Sequence, residues 1–227
     1  MGKMIDLTAS DGHKLAAYVA EPSGSNTGKP RGAIVVIQEI FGVNSHIKSV
    51  ADGYAADGYL AIAPAMFDRL QRGYDTGYSQ PEVQAGIAMM QKLDWKQTLL
   101  DVDAAVAEAK KAGKVGIVGY CWGGTVAWVA AARTAGLAAS VPYYGGGMPG
   151  FKDEKPKIPV MCNFGEKDQS PTPEQAKEIL AKHPEVQGHF YADAGHGFNC
   201  DQRGSYNAEA AKSARQKTLE FFRKHVG

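Results

Sequence analysis

The segment Gly119-Tyr120-Cys121-Trp122-Gly123 sets a thiol at the centre of a G-x-nucleophile-x-G pattern. Glycines on either side let the chain turn so sharply that the central side chain projects above a sheet. The β-branched run 115–119 leads into the pattern, and 122–134, apolar nearly all round, leads out of it. A buried strand, a tight turn and a buried helix are therefore expected, with the helix aiming its free N–H groups and positive end at the sulfur. The competing reading makes Cys121 a small apolar filler.

A thiol used for catalysis needs a base, and the base needs an acid to orient it, in the chain order nucleophile, acid, histidine. Gly165-Glu166-Lys167-Asp168 follows the apolar run 158–164, and Gly195-His196-Gly197-Phe198 lies just beyond the strand-like run 186–191. Each group would stand at the carboxyl end of a strand. Asp168 has rivals: it could merely cap its loop, leaving Glu166 or Asp193 to hold the imidazole. The other histidines, His13, His46, His183, His189 and His225, fall in strands or on helix faces and read as solvated or satisfied rings.

These residues need a frame. Strand patterns at 14–20, 31–37, 59–65, 115–119, 138–144, 158–164 and 186–191 alternate with helical patterns at 44–57, 81–92, 95–112, 122–134, 172–183 and 205–226, and 21–31 reads as a loop. Nearly continuous apolar strands between helices imply an α/β fold, a mostly parallel central sheet with helices on both faces. Ligands in such sheets bind beyond the carboxyl ends of the strands. No repeat or linker interrupts 1–227, so one domain is expected.

Composition excludes several partners. The net charge is +1 and no segment concentrates Lys and Arg, so nucleic acid is not expected. The opening MGKMIDLTASDGHKL lacks the apolar core of a secretory signal, and no apolar run reaches membrane-spanning length. Cys121, Cys162 and Cys200 are too few for a disulfide framework, and their spacing is not that of a zinc site. A cytoplasmic monomer acting on a small molecule, without cofactor or metal, is the expectation.

Four separated segments carry a resemblance over nearly the whole chain. Gln38-Glu39-Ile40-Phe41-Gly42, Gly119-Tyr120-Cys121-Trp122-Gly123-Gly124, Gly165-Glu166-Lys167-Asp168 and Gly195-His196-Gly197-Phe198 together resemble the dienelactone hydrolase (carboxymethylenebutenolidase) family of the α/β-hydrolase superfamily. The resemblance implies opening of an activated enol-lactone, of the dienelactone to maleylacetate type, in aromatic-compound degradation. It makes Cys121 the nucleophile, His196 the base and then the acid, and Asp168 the group that orients His196. It further implies that Glu39 accepts a hydrogen bond from the resting thiol and releases it when substrate binds; the alternative is a cap for the helix near Asn44. The backbone N–H groups of Ile40 and Trp122 are the expected oxyanion donors.

A thiolate is a strong nucleophile and a good leaving group, which suits activated lactones. The same scaffold could instead serve a carboxylesterase or thioesterase, or a protein that binds ligands or senses oxidants through Cys121 without turnover. For substrate binding, Arg69 matches the family's first arginine, which would hold a carboxylate; a solvated loop charge is its competing reading. Phe41, Tyr144 and Phe198, with Tyr74 and Tyr78, could wall the pocket, the tyrosines alternatively being core. The sequence departs from the family pattern where the second arginine is expected, since Cys200 stands there, and Gly197 stands in place of a serine. Arg203, three residues further on, is the cation that could reach the same volume.

Overall fold

The computed structural model describes residues 2–22 and 29–227. Most of the loop expected over 21–31 lies outside the described residues. The elements run β1 (Lys3–Thr8), β2 (Lys14–Ala20), β3 (Ala33–Ile37), α1 (Ser45–Ala56), β4 (Leu60–Pro64), α2 (Gln80–Met90), α3 (Trp95–Ala109), β5 (Val115–Tyr120), α4 (Trp122–Arg133), β6 (Leu137–Tyr143), β7 (Met161–Gly165), α5 (Pro173–Lys182), β8 (Gln187–Tyr191) and α6 (Ala208–His225). The strands form one sheet in the order β1-β2-β4-β3-β5-β6-β7-β8. β1 and β2 pair antiparallel, β2 joins β4 antiparallel, and every other pairing is parallel.

Alternation along the central strands divides the core between two faces. Ile34 and Val36 of β3 pack with Ile47, Ala51 and Tyr54 of α1 and with Ala214 and Phe222 of α6. Ala33, Val35 and Ile37 face the other way, against Val102, Val106 and Ala109 of α3 and Val126 and Ala130 of α4. α4 is buried over Trp122–Ala132, which is why its sequence carries no polar face. β1 was not legible: only Leu7 of its six residues is buried, because an edge strand packs against little. β7 begins later than the apolar run suggests, since Pro159 breaks the ladder and leaves Val160 in an isolated bridge with Ser140.

The topology fixes where a ligand can sit. From β3 the chain passes through α1 to β4 on one side, then through α2 and α3 to β5 on the other side of β3. Such a reversal opens a crevice at the carboxyl ends of β3 and β5. Those ends carry Gln38-Glu39-Ile40 and Cys121.

Candidate active site

Cys121 is the residue between β5 and α4, held at φ 55°, ψ −118°. A non-glycine residue there is strained, and its neighbours keep it so. A Cβ on Gly119 would lie 1.9 Å from the Gly123 carbonyl oxygen, and one on Gly123 would lie 2.4 Å from the Gln38 carbonyl oxygen. The flanking glycines thus permit both the turn and the contact between α4 and the loop leaving β3. Trp122 opens α4, so its N–H has no acceptor within the helix. It borders the same cavity as Ile40, Cys121 and His196.

His196 follows β8 and Asp168 follows β7, as their positions in sequence predict. The imidazole Nδ1 lies 3.0 Å from Asp168 Oδ2 and 3.2 Å from Oδ1. Asp168 is itself buried and accepts from the Ser170 N–H at 2.8 Å, which fixes the carboxylate. Burial alone would lower the pKa of His196, but the Cys121 sulfur and the Asp168 carboxylate beside it outweigh burial and hold it well above its usual 6.5. Glu166 does not take the place of Asp168, and Asp193 pairs with Lys167 instead.

Glu39 is buried, and its Oε1 accepts from Arg203 Nη1 at 3.0 Å, while Oε2 has no partner among the described residues. The hydrogen bond expected from the resting Cys121 thiol to Glu39 is therefore absent; Arg203 claims the carboxylate and the sulfur stands beside His196. Helix capping is not its task either, since Asn44 Oδ1 receives the Ile47 N–H of α1. The Arg203 guanidinium also lies over the rings of Phe41 and Tyr78, at 5.6 and 5.8 Å. Burial lowers its pKa, and Glu39 with the nearby sulfur more than restores it.

Three of the expected substrate contacts are corrected. Arg69 points away from the crevice: its Nε and Nη2 each bond Asp101 of α3 at 2.8 Å, and Nη1 bonds Asp11 of the β1–β2 turn at 2.8 Å. Its charge is spent on a buried clamp between hairpin and helix. Tyr144 and Phe198 are fully buried behind the imidazole, Tyr144 lying edge-on to His196 at 5.3 Å and to Phe198 at 5.2 Å. They brace the histidine and do not border the cavity. Phe41 does border it. Tyr74 packs on Phe67, and Tyr78 bonds Asn44 and Cys200.

The cavity above Cys121 has a volume of about 590 Å³. Gly146 and Gly147 form part of its wall, and Gly147 N–H donates to Thr125 Oγ1 at 2.9 Å. Helix α2 meets the loop after β3 here: a Cβ on Gly86 would lie 2.4 Å from the Ile40 carbonyl oxygen.

The profile of the dienelactone hydrolase family matches residues 15–226. The chain belongs to that family. It is accordingly a carboxylic ester hydrolase with an α/β-hydrolase fold. It is 35% identical over 228 residues to a Synechocystis protein named as a carboxymethylenebutenolidase, covering 92% of this chain and 91% of the relative. An Escherichia coli protein of the same name is 33% identical over 239 residues, covering 96% of this chain and 85% of the relative. The crystal structure of a Klebsiella pneumoniae protein named as a dienelactone hydrolase superposes with a TM-score of 0.82 at 27% identity, covering 99% of this chain and 100% of that one.

Within this family frame, one cluster of ligand-type side chains stands out among the described residues. Single ligand atoms of Glu39, His46 and Cys200 lie within 4.8 Å of one another, all buried. A cation there would share Glu39 with the Arg203 guanidinium, and it would need the Cys200 thiolate, whereas burial first and the Glu39 charge next push that thiol up to about 11. The donor set therefore does not suit a metal. Cys162 is fully buried, and burial pushes its thiol up as well, consistent with a filler. Among the described residues no helix is long and apolar enough to cross a membrane.

Proposed function

We propose that the protein hydrolyses activated lactones and esters by covalent catalysis at Cys121. The observation that carries this reading is the line from Asp168 through His196 to a sulfur held at a strained turn on the floor of the cavity. The thiolate attacks the carbonyl carbon, a C–S bond forms, and the carbonyl electrons move to oxygen beside the N–H groups of Ile40 and Trp122. Collapse breaks the ester C–O bond, and the His196 imidazolium protonates the departing enolate or alkoxide. His196 then takes a proton from water, the hydroxide adds to the thioester, and the thiolate leaves with the carboxylic acid released. Asp168 keeps Nδ1 turned inward so that Nε2 handles the proton.

Arg203 is the carboxylate anchor in this reading, in place of Arg69. Its guanidinium borders the cavity, and a substrate carboxylate would compete with Glu39 for it. A dienelactone of the maleylacetate-yielding type fits that chemistry. The test is Cys121→Ala: lactone and aryl-ester turnover should fall to background while the circular dichroism stays native. Wild-type turnover in that variant rejects the nucleophile. Comparing a dienelactone with neutral aryl esters then decides between a lactonase and a carboxylesterase of broader range, for which the prior neutralisation of Arg203 by Glu39 argues.

A further inference from the structure

The reactive groups make up only part of the cavity lining. Val83, Ile87 and Met90 of α2, Leu93 and Trp95 at the α2–α3 junction, and Phe151 supply an apolar part of it. All six are half-buried, and all six border the cavity. Val83, Ile87 and Met90 stand at i, i+4 and i+7 and share one helix face.

This wall is held rigidly. The Glu82 carboxylate bonds the N–H groups of Ser79 and Gly77 and the Thr76 hydroxyl, which fixes the start of α2. Trp95 and Phe151 meet edge to face at 4.6 Å, and Trp128 Nε1 anchors the Phe151 carbonyl at 2.9 Å. A volume of about 590 Å³ lies within the range of pockets that enclose drug-sized ligands. A monocyclic lactone seated between Cys121 and Arg203 would leave the part lined by α2 open to water, with its apolar side chains wet.

We infer that the substrate is amphiphilic: an ester or lactone whose reacting group, and any carboxylate, sits at Cys121 and Arg203 while an aliphatic or aryl arm fills the gallery beneath α2. This rests on the assignment of Cys121 as nucleophile and adds the substrate class to it. The arm supplies binding through burial of surface against the six side chains, so affinity should grow with arm length until the gallery is full. Selectivity would then be set by α2 and Phe151, away from the reacting atoms.

The test uses p-nitrophenyl esters with acyl chains from acetyl to octanoyl, together with phenyl acetates bearing para-alkyl groups of the same lengths. In at least one series kcat/KM should rise about fourfold per added methylene before levelling off. Ile87→Ser and Met90→Ser should flatten that rise, lowering kcat/KM for the longest chains far more than for acetate, and Met90→Trp should shorten the length at which it levels off. Native circular dichroism shows that each variant is folded. Flat or falling profiles in both series, or wild-type slopes in the α2 variants, overturn the gallery assignment. If Cys121→Ala is inactive while the profiles are flat, the nucleophile stands and only the amphiphilic substrate fails; residual activity in Cys121→Ala condemns the nucleophile instead.

Discussion

The Arg203 guanidinium occupies the space that a side chain on Gly197 would need: a Cβ at 197 would lie 2.6 Å from Arg203 Nη1. Gly197 also sits at φ 79°, where an L side chain is strained. Two departures from the family pattern are thus one adjustment, since losing the serine beside His196 makes room for an arginine arriving from position 203. Gly197→Ser should push the guanidinium off Glu39 and raise KM for acid-bearing esters about tenfold or more, with neutral esters affected far less. An equal loss on both substrate types would mean that His196, and not Arg203, had been disturbed.

Arg69 governs stability. Its side chain is 8% exposed and that of Asp101 is 1% exposed, so Arg69→Met leaves a buried carboxylate without its cation. Removing one partner of such a pair costs about 3–5 kcal/mol, measurable by urea unfolding. Adding Asp101→Leu should recover much of the loss. The ratio of kcat/KM between acidic and neutral esters should stay at the wild-type value; a selective loss on the acidic ester would return Arg69 to the site.

Gly86 couples a helix to the loop that carries the proposed oxyanion donor Ile40. Alanine within a helix is ordinarily favoured over glycine by about 1 kcal/mol, but here a Cβ would meet the Ile40 carbonyl oxygen at 2.4 Å. Gly86→Ala should lower kcat on short esters by about ten- to a hundredfold through displacement of the Ile40 N–H. Its melting temperature should change little by comparison. Full activity in this variant would show that the loop accommodates the methyl without moving its donor.

The raised pKa of His196 has a definite sign in the pH dependence of stability. A histidine whose folded value exceeds 6.5 adds stability that is complete below pH 6.5 and is lost as the pH climbs through the folded value. Cys121 is the first of the influences that raise it, so in Cys121→Ser the loss should be smaller and complete closer to pH 6.5. Following the imidazole carbon-bound protons by NMR titration reads this directly. Identical titrations in the two proteins would mean that the sulfur does not hold the proton on His196.

What the sequence discloses depends on how local the physics is. The elbow, with its glycines and the strand and helix around it, is legible because steric need and spacing coincide within a few residues. Asp168 and His196 are legible through chain order, since each follows a strand-like run. Arg69 misleads because its partners, Asp11 and Asp101, lie 58 and 32 positions away, and no pattern near Arg69 announces them. Tyr144 and Phe198 mislead differently: an aromatic beside the catalytic loop reads the same whether it stands before or behind the imidazole. Val83, Ile87 and Met90 look like any helix face packed on a core, and only the cavity distinguishes them.

Helix α2 serves two masters. Its Gly86 leans on the loop that would stabilise the transition state, while the side chains one turn to either side wall the space beyond the reacting bond. Any attempt to broaden substrate range by remodelling this helix will therefore trade against turnover, whereas changes at Phe151, which lies on a separate segment, are free of that penalty. Laboratory evolution of the enzyme should accumulate its early gains there.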